Sequence, residues 1–177
     1  MVEPLTGAAM TPEQEQHLAT LALAASDVRQ SGEQLLGDPL DVAVASKWLG
    51  LGLGQLGTAQ QLVVRSFAFD VEKRRSGGIV NLGDKRCFVV KGAFEAIRPM
   101  VSAVGLDTIS GESSPLAEQL ATSDVVMQGL AAQGLRVIAV AYRQLADEEK
   151  GETIPDESGA DSLEHDLILA GFLGIED

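Results

Sequence analysis

Four short stretches of this chain place aromatic or charged side chains where a ligand could meet them. Phe69-Asp70-Val71-Glu72-Lys73-Arg74-Arg75-Ser76 closes a β-rich run with an aromatic ring and then presents three cations in succession. Val89-Val90-Lys91-Gly92-Ala93 closes another apolar run with a lysine, followed by a glycine whose missing side chain lets a ligand approach the backbone. Gly134-Leu135-Arg136-Val137-Ile138-Ala139 opens a third run with an arginine among apolar residues, and Asp38 to Asp41 sets carboxylates at a helix start. A ring and a few local cations suit the holding of a small anionic ligand. Taken singly, each residue also has a structural reading: Phe69 as core, Lys91 and Arg136 as strand-end side chains with apolar stems, Asp41 as a capping partner.

Other candidate chemistries are weaker. Gly52-Leu53-Gly54-Gln55-Leu56-Gly57 has the glycine spacing of a dinucleotide fingerprint. That motif needs a strand before it and a helix after it, and here a helix precedes and a strand follows. No glycine run continues into lysine and Ser or Thr, so a phosphate loop of the Walker type is lacking. His165 with Asp161, Glu164 and Asp166 can be drawn as a metal site, but no second histidine or cysteine completes a transition-metal set, and no metal is expected. His17 falls in a predicted surface helix. Cys87 lies in an apolar run without a neighbouring histidine, as an inert core thiol does. No serine sits in a nucleophile elbow, and no complete catalytic constellation is present.

Composition bounds the reading. At 177 residues, 45% hydrophobic and 22% charged, the chain is expected to form one globular domain, residues 1–177. A single cysteine excludes a disulfide framework. No apolar run is long enough to span a membrane, and Met1 to Pro12 lacks the basic start and apolar stretch of a secretion signal. Thirteen basic against 26 acidic residues, a net charge of −13, argues against a nucleic-acid partner, which would need a basic face. Over half of that excess is local: residues 147–164 hold eight acidic residues against Lys150. With Gly151, Pro155 and Gly159 among them, they read as an acidic surface loop between two strands.

The elements that must position the four stretches are marked clearly. Thr11-Pro12, Asp38-Pro39 and Ser114-Pro115 each pair a capping residue with proline at the first helical position. The helices they open should run to about Ser26, about Leu51 and Gly134, the first with Gln14 completing a capping box. A shorter helix is expected after Gly92. Leu62 to Phe69, Gly78 to Asn81, Cys87 to Val90, Leu135 to Tyr142 and Leu167 to Gly174 read as strands, with Leu82-Gly83-Asp84-Lys85 as a hairpin turn. The result is an α+β fold, a largely antiparallel twisted sheet flanked by helices.

In this order, the segments resemble the nucleotide-binding (N) domain of P-type cation-transporting ATPases across about residues 10 to 177. Gly37-Asp38-Pro39-Leu40-Asp41-Val42-Ala43 is similar to that family's Gly-(Asp/Glu)-Pro-x-(Asp/Glu)-x-Ala helix start. Phe69-Asp70 with Arg74 resembles its adenine-facing phenylalanine motif, Lys91-Gly92-Ala93 its Lys-Gly-Ala motif, and Leu135-Arg136-Val137 its Leu-Arg strand. Asp166-Leu167 through Gly171 and Asp177 resembles the exit strand. The resemblance implies roles. Phe69 would stack on adenine, Lys91 would line the base pocket beside Gly92, and Asp41 would accept a hydrogen bond from the adenine amino group. Arg136 would reach toward the phosphates with Arg74 nearby, and Ile138 would be apolar lining. Val71 departs from the pattern, since some eukaryotic members carry arginine there; Lys73 or Arg74 would substitute.

The family's phosphorylated Asp-Lys-Thr-Gly-Thr, its Gly-Asp-Gly magnesium motif and its membrane helices do not occur in this chain. The resemblance therefore implies a domain cut from a larger transporter, inactive as an enzyme by itself. Its ligand would be ATP, as Mg-ATP in the parent. Its partners would be the phosphorylation and actuator domains of the same parent chain, on the cytoplasmic side of the plasma membrane. The domain would be soluble and monomeric, without direct membrane contact. The Phe-Asp-x-Glu-(Lys/Arg)-Arg-Arg pattern is most similar to bacterial magnesium- or calcium-type members. The alternative is a non-nucleotide module whose acidic loop recruits a basic partner.

Overall fold

The computed structural model describes residues 1–105, 115–146 and 159–176. Along the chain run α1 (Pro12–Ala24), β1 (Val28–Ser31), β2 (Gln34–Gly37), α2 (Pro39–Gly50), α3 (Leu56–Gln61), β3 (Val63–Asp70), β4 (Arg75–Leu82), β5 (Lys85–Gly92) and α4 (Phe94–Ile97). They are followed by β6 (Val101–Val104), α5 (Leu116–Ala132), β7 (Arg136–Gln144), α6 (Gly159–Leu163) and β8 (Leu167–Ile175). The caps explain the helix starts. Thr11 Oγ1 accepts from the Gln14 amide at 3.3 Å while Gln14 Oε1 accepts from the Thr11 amide at 2.9 Å, which closes the capping box. Asp38 Oδ1 accepts from the Leu40 amide at 2.9 Å. The third long helix departs from expectation: Pro115 itself is its N-cap, with no side-chain cap bond, and Ser114 lies outside the described residues.

A mixed six-stranded sheet, in the order β3-β4-β5-β7-β8-β6, forms the centre. Every neighbouring pair is antiparallel except β6 and β8. The inner strands of the sheet are buried on both faces, which explains their near-continuous apolar runs. On one face Val89, Ile138 and Val140 pack beneath α1 and α2 with Leu18, Val44 and Trp48. On the other, Phe88, Val90, Ala139 and Phe172 pack with Phe94, Ile97 and Leu120 of α4 and α5. The carboxyl end of α1 lies directly on β4, where a Cβ at Gly78 would come within 2.0 Å of the Ala24 carbonyl oxygen. Burial pushes the Cys87 thiol above its ordinary pKa, in keeping with a core position.

Several elements have no counterpart in the sequence reading. The two-stranded β1–β2 hairpin is mostly exposed and only four residues long in each strand, so it carries no alternating pattern. A short α3 starts inside the glycine run, at Leu56, and so comes between that run and β3, where the sequence suggests that a strand follows directly. No strand precedes that run; α2 does, so the layout a dinucleotide fingerprint needs is absent there. The acidic stretch also differs from a single solvated loop. Residues 159–163 form α6, with Leu163 buried, while 147–158 lie outside the described residues. Among the described residues no helix is long and apolar enough to cross a membrane.

Candidate functional site

Strand register brings three of the four stretches to one end of the sheet. β3 ends at Asp70, opposite Arg75 where β4 begins. Arg75 lies opposite Gly92, where β5 ends, and Gly92 lies opposite Ala139, three residues after β7 begins at Arg136. Phe69, Arg74, Lys91, Gly92 and Arg136 are therefore neighbours along a single sheet edge, although 67 residues separate the first from the last. Lys91 is opposite Val140, and Arg136, Ile138 and Val140 share one face by alternation, so both cations belong to the α1–α2 face.

Asp41 joins this edge from the first turn of α2. Its Oδ1 accepts from Lys91 Nζ at 2.5 Å, and its Oδ2 accepts from the Asp27 amide at 3.0 Å. Lys91 is only 5% exposed, so its ammonium is held by a partner rather than by water. Asp38, by contrast, is occupied by capping α2. Of the two carboxylates at this helix start, Asp41 is the one paired with Lys91.

Phe69 is 60% exposed at the end of the edge strand β3. Its neighbour in the pattern, Phe67, instead packs edge-on against Phe88, with ring centroids 5.9 Å apart, and carries the Arg65 guanidinium 5.0 Å from its centroid. A register shift between Phe67 and Asp70 turns the second ring outward. Phe69 and Asp41 line one open cavity of about 200 Å³ together with Asp27, Ser66 and Ser76. Ser76 Oγ donates to the Ala25 carbonyl at 2.7 Å and so fixes the cavity wall to the end of α1.

Gly92 is needed for the protein's own backbone. A Cβ there would lie 2.3 Å from the Arg74 carbonyl oxygen and 2.8 Å from the Arg75 Cα. The β3–β4 turn is thus seated on Gly92, and the Ala93 amide donates to that same Arg74 carbonyl at 3.1 Å. Within the turn, the Glu72 and Lys73 amides donate to Asp70 Oδ1 at 2.9 and 3.0 Å. These bonds, the Lys73 amide foremost, hold the Asp70 carboxyl below the usual carboxylate range. Arg74 adopts a left-handed φ of 55°, uncommon for a residue with a side chain.

The three successive cations of this turn have different fates. Lys73 pairs with Asp161, and Arg75 pairs through both nitrogens with Glu164, its Nε at 3.2 Å. The hydrogen bond to Asp161 raises the Lys73 pKa. Acidic residues of α6 and its end thereby dock onto the basic turn. Arg74 stays more than half exposed, with Glu95 at 3.8 Å. Ile138 lies in the core beneath α2 and is not among the residues lining the cavity.

Asp27 and Ser66 escaped the sequence reading as site residues, and Ser76, which closes the Phe69 stretch, had no role there; only the fold brings these small polar residues beside Asp41. Among the described residues no three His, Cys, Asp or Glu side chains cluster as metal ligands; His165 Nδ1 lies 3.1 Å from Asp166.

The profile of the P-type ATPase cytoplasmic domain N family matches residues 14–177. A calcium-transporting ATPase of Bacillus subtilis (strain 168) is 31% identical over 152 residues, 84% of this chain and 16% of that protein. A probable cation-transporting ATPase I of Mycobacterium tuberculosis (strain H37Rv) is 29% identical over 182 aligned positions, 99% of this chain and 10% of that protein. A plasma membrane-type calcium-transporting ATPase 4 of Arabidopsis thaliana is 31% identical over 133 residues, 72% of this chain and 12% of that protein. The chain thus spans about a sixth or less of the length of these relatives. The chain belongs to the P-type ATPase cytoplasmic domain N family.

Proposed function

We propose that this domain binds ATP at the sheet edge where Phe69, Asp41 and Lys91 meet. The observation that carries the reading is the 60%-exposed Phe69 ring, which shares a cavity with a carboxylate already held by a buried lysine. An accessible aromatic face beside a hydrogen-bond acceptor offers a planar base a surface to stack on. A cavity of about 200 Å³ has room for one purine but not for a whole nucleotide. The base would stack on Phe69, while Asp41, oriented by Lys91 and the Asp27 amide, would accept from its amino group. Arg74 and Arg136, at the same edge, would meet the phosphates. Gly92 serves this site by seating the turn that carries Arg74.

In a longer chain, the domain would carry ATP to a phosphorylation domain and present its γ-phosphoryl to an aspartate there. Positioning is a large share of phosphoryl-transfer catalysis. That domain would supply the magnesium site and the remaining phosphate contacts, and ion transport would follow from membrane segments elsewhere. The domain would act on the cytoplasmic side of the membrane, as a monomer, with the phosphorylation and actuator domains as its partners. The similarity to bacterial calcium and cation transporters favours a divalent cation as cargo.

One stack and a few polar contacts, less the cost of association, suggest a binding free energy of about −4 kcal/mol, a Kd on the order of 1 mM. Titrating ATP into the ¹⁵N-labelled domain should shift the amides of Phe69, Lys91 and Gly92. Phe69→Ala should weaken binding by about 1–3 kcal/mol, the usual worth of a base–aromatic stack. Absence of shifts at several millimolar ATP would refute the proposal.

A further inference from the structure

We propose that the base slot continues into a second, larger cavity that takes an apolar group carried on the amino edge of adenine, so that N6-aryl adenine nucleotides such as N6-benzyl-ATP are ligands of this domain. The inference rests on the nucleotide reading above. The second cavity, about 420 Å³, lies between the ends of α1 and α2, α3 and the first half of β3. Leu23, Trp48, Ala59, Val63 and Val80 give it an apolar lining. The Trp48 indole N–H is already satisfied by Thr20 Oγ1 at 3.2 Å, so the ring lining the cavity asks for no polar partner. Its size is that of a small-molecule pocket.

The two cavities are adjacent, sharing a rim made by Ser26 and Asp27 after α1 and by Ser66 of β3. Ser66 and Ala68 are exposed, so this strip of the edge strand is not covered by a helix, and the side chains on it are short. Asp41, the acceptor for the amino group in the nucleotide reading, is hydrogen-bonded to the Asp27 amide on this shared rim. A substituent on that amino group, directed past Asp41 toward Asp27, therefore enters the larger cavity, while the purine keeps its place on Phe69. The carboxylate accepts one N–H, so a singly substituted amino group retains the bond it needs.

The test compares ATP with N6-benzyl-ATP on the same domain, by amide shifts for affinity and by the emission of Trp48, the single tryptophan of the chain. Burying a phenyl ring should tighten binding about fivefold to tenfold. Only the benzyl compound should alter Trp48 emission. Ala59→Phe, which fills the larger cavity, should erase the advantage and the emission change while leaving ATP affinity within about twofold. Thr58→Phe, at an exposed position on the same wall, serves if the first variant does not fold. ATP binding with an N6-benzyl-ATP that binds no better and leaves Trp48 unchanged overturns this inference alone. Failure of both nucleotides to bind overturns the nucleotide reading and this inference with it.

Discussion

The pairing of Lys91 with Asp41 determines how the site behaves when single residues change. Both groups are largely withdrawn from water, with side-chain exposures of 6% and 16%. Removing one partner strands the other charge, which typically costs about 3–5 kcal/mol. Lys91→Ala should therefore lower unfolding stability in urea by about that amount, and Lys91→Met with Asp41→Leu should recover most of it. A single variant as stable as the wild type would contradict the geometry. Gly92 makes a second, separate demand. Gly92→Ala would drive a methyl into the Arg74 carbonyl, so the turn must lift or the strand must shift. We expect a loss of about 1–3 kcal/mol in thermal or chemical unfolding, with weaker ATP binding because Arg74 moves with the turn. Of these residues, Phe69, Lys91 and Asp41 were legible in the sequence as candidates only, aromatic, cationic and acidic side chains standing out against apolar runs, with their roles implied by the family resemblance. The reason for Gly92 was not, since its neighbour across the sheet, Arg75, is 17 positions away and nothing local announces the contact.

At the scale of elements, the β3–β4 turn links chemistry to fold. Asp70 fixes it by accepting two amides, and those bonds favour the ionised carboxyl. Because the folded pKa lies below the unfolded value, the contribution is present above the ordinary carboxylate range. It is lost as pH falls through the lower, folded pKa. The Glu72 and Lys73 amide resonances should titrate with a midpoint below that of an unperturbed aspartate, and Asp70→Asn should abolish the transition. A midpoint at the ordinary value would show that the turn is not held this way. The sequence announced the strands and helices of this region well. Val63 to Phe69 is β-branched and aromatic, and the three helix starts carry their own proline signals. The docking of α6 on this turn was illegible, because Asp161 and Glu164 look like any solvated acids until residues 88 and 89 positions apart are brought together. Likewise β1 and β2 are four-residue, mostly exposed strands that satisfy their backbone in a hairpin and are too short to show a hydrophobic alternation.

For the whole molecule, the fold gathers Phe69, Arg74, Lys91 and Arg136 at one end of a sheet whose inner strands are covered by helices. The rigid, apolar strands β5 and β7 fix Lys91 and Arg136 on the same face, and the edge strand β3 leaves Phe69 uncovered beside them. Charge is arranged to match: the chain is acidic as a whole, yet Lys91, Arg74 and Arg136 lie along this one edge. The claim on which this account depends is that the Phe69 ring is the platform for the base. Intermolecular nuclear Overhauser effects between the adenine protons of bound ATP and the ring protons of Phe69 test it most directly. We predict strong effects to Phe69, with the ring of Phe88, enclosed in the core, showing none. ATP that binds without any contact to the Phe69 ring would contradict the account.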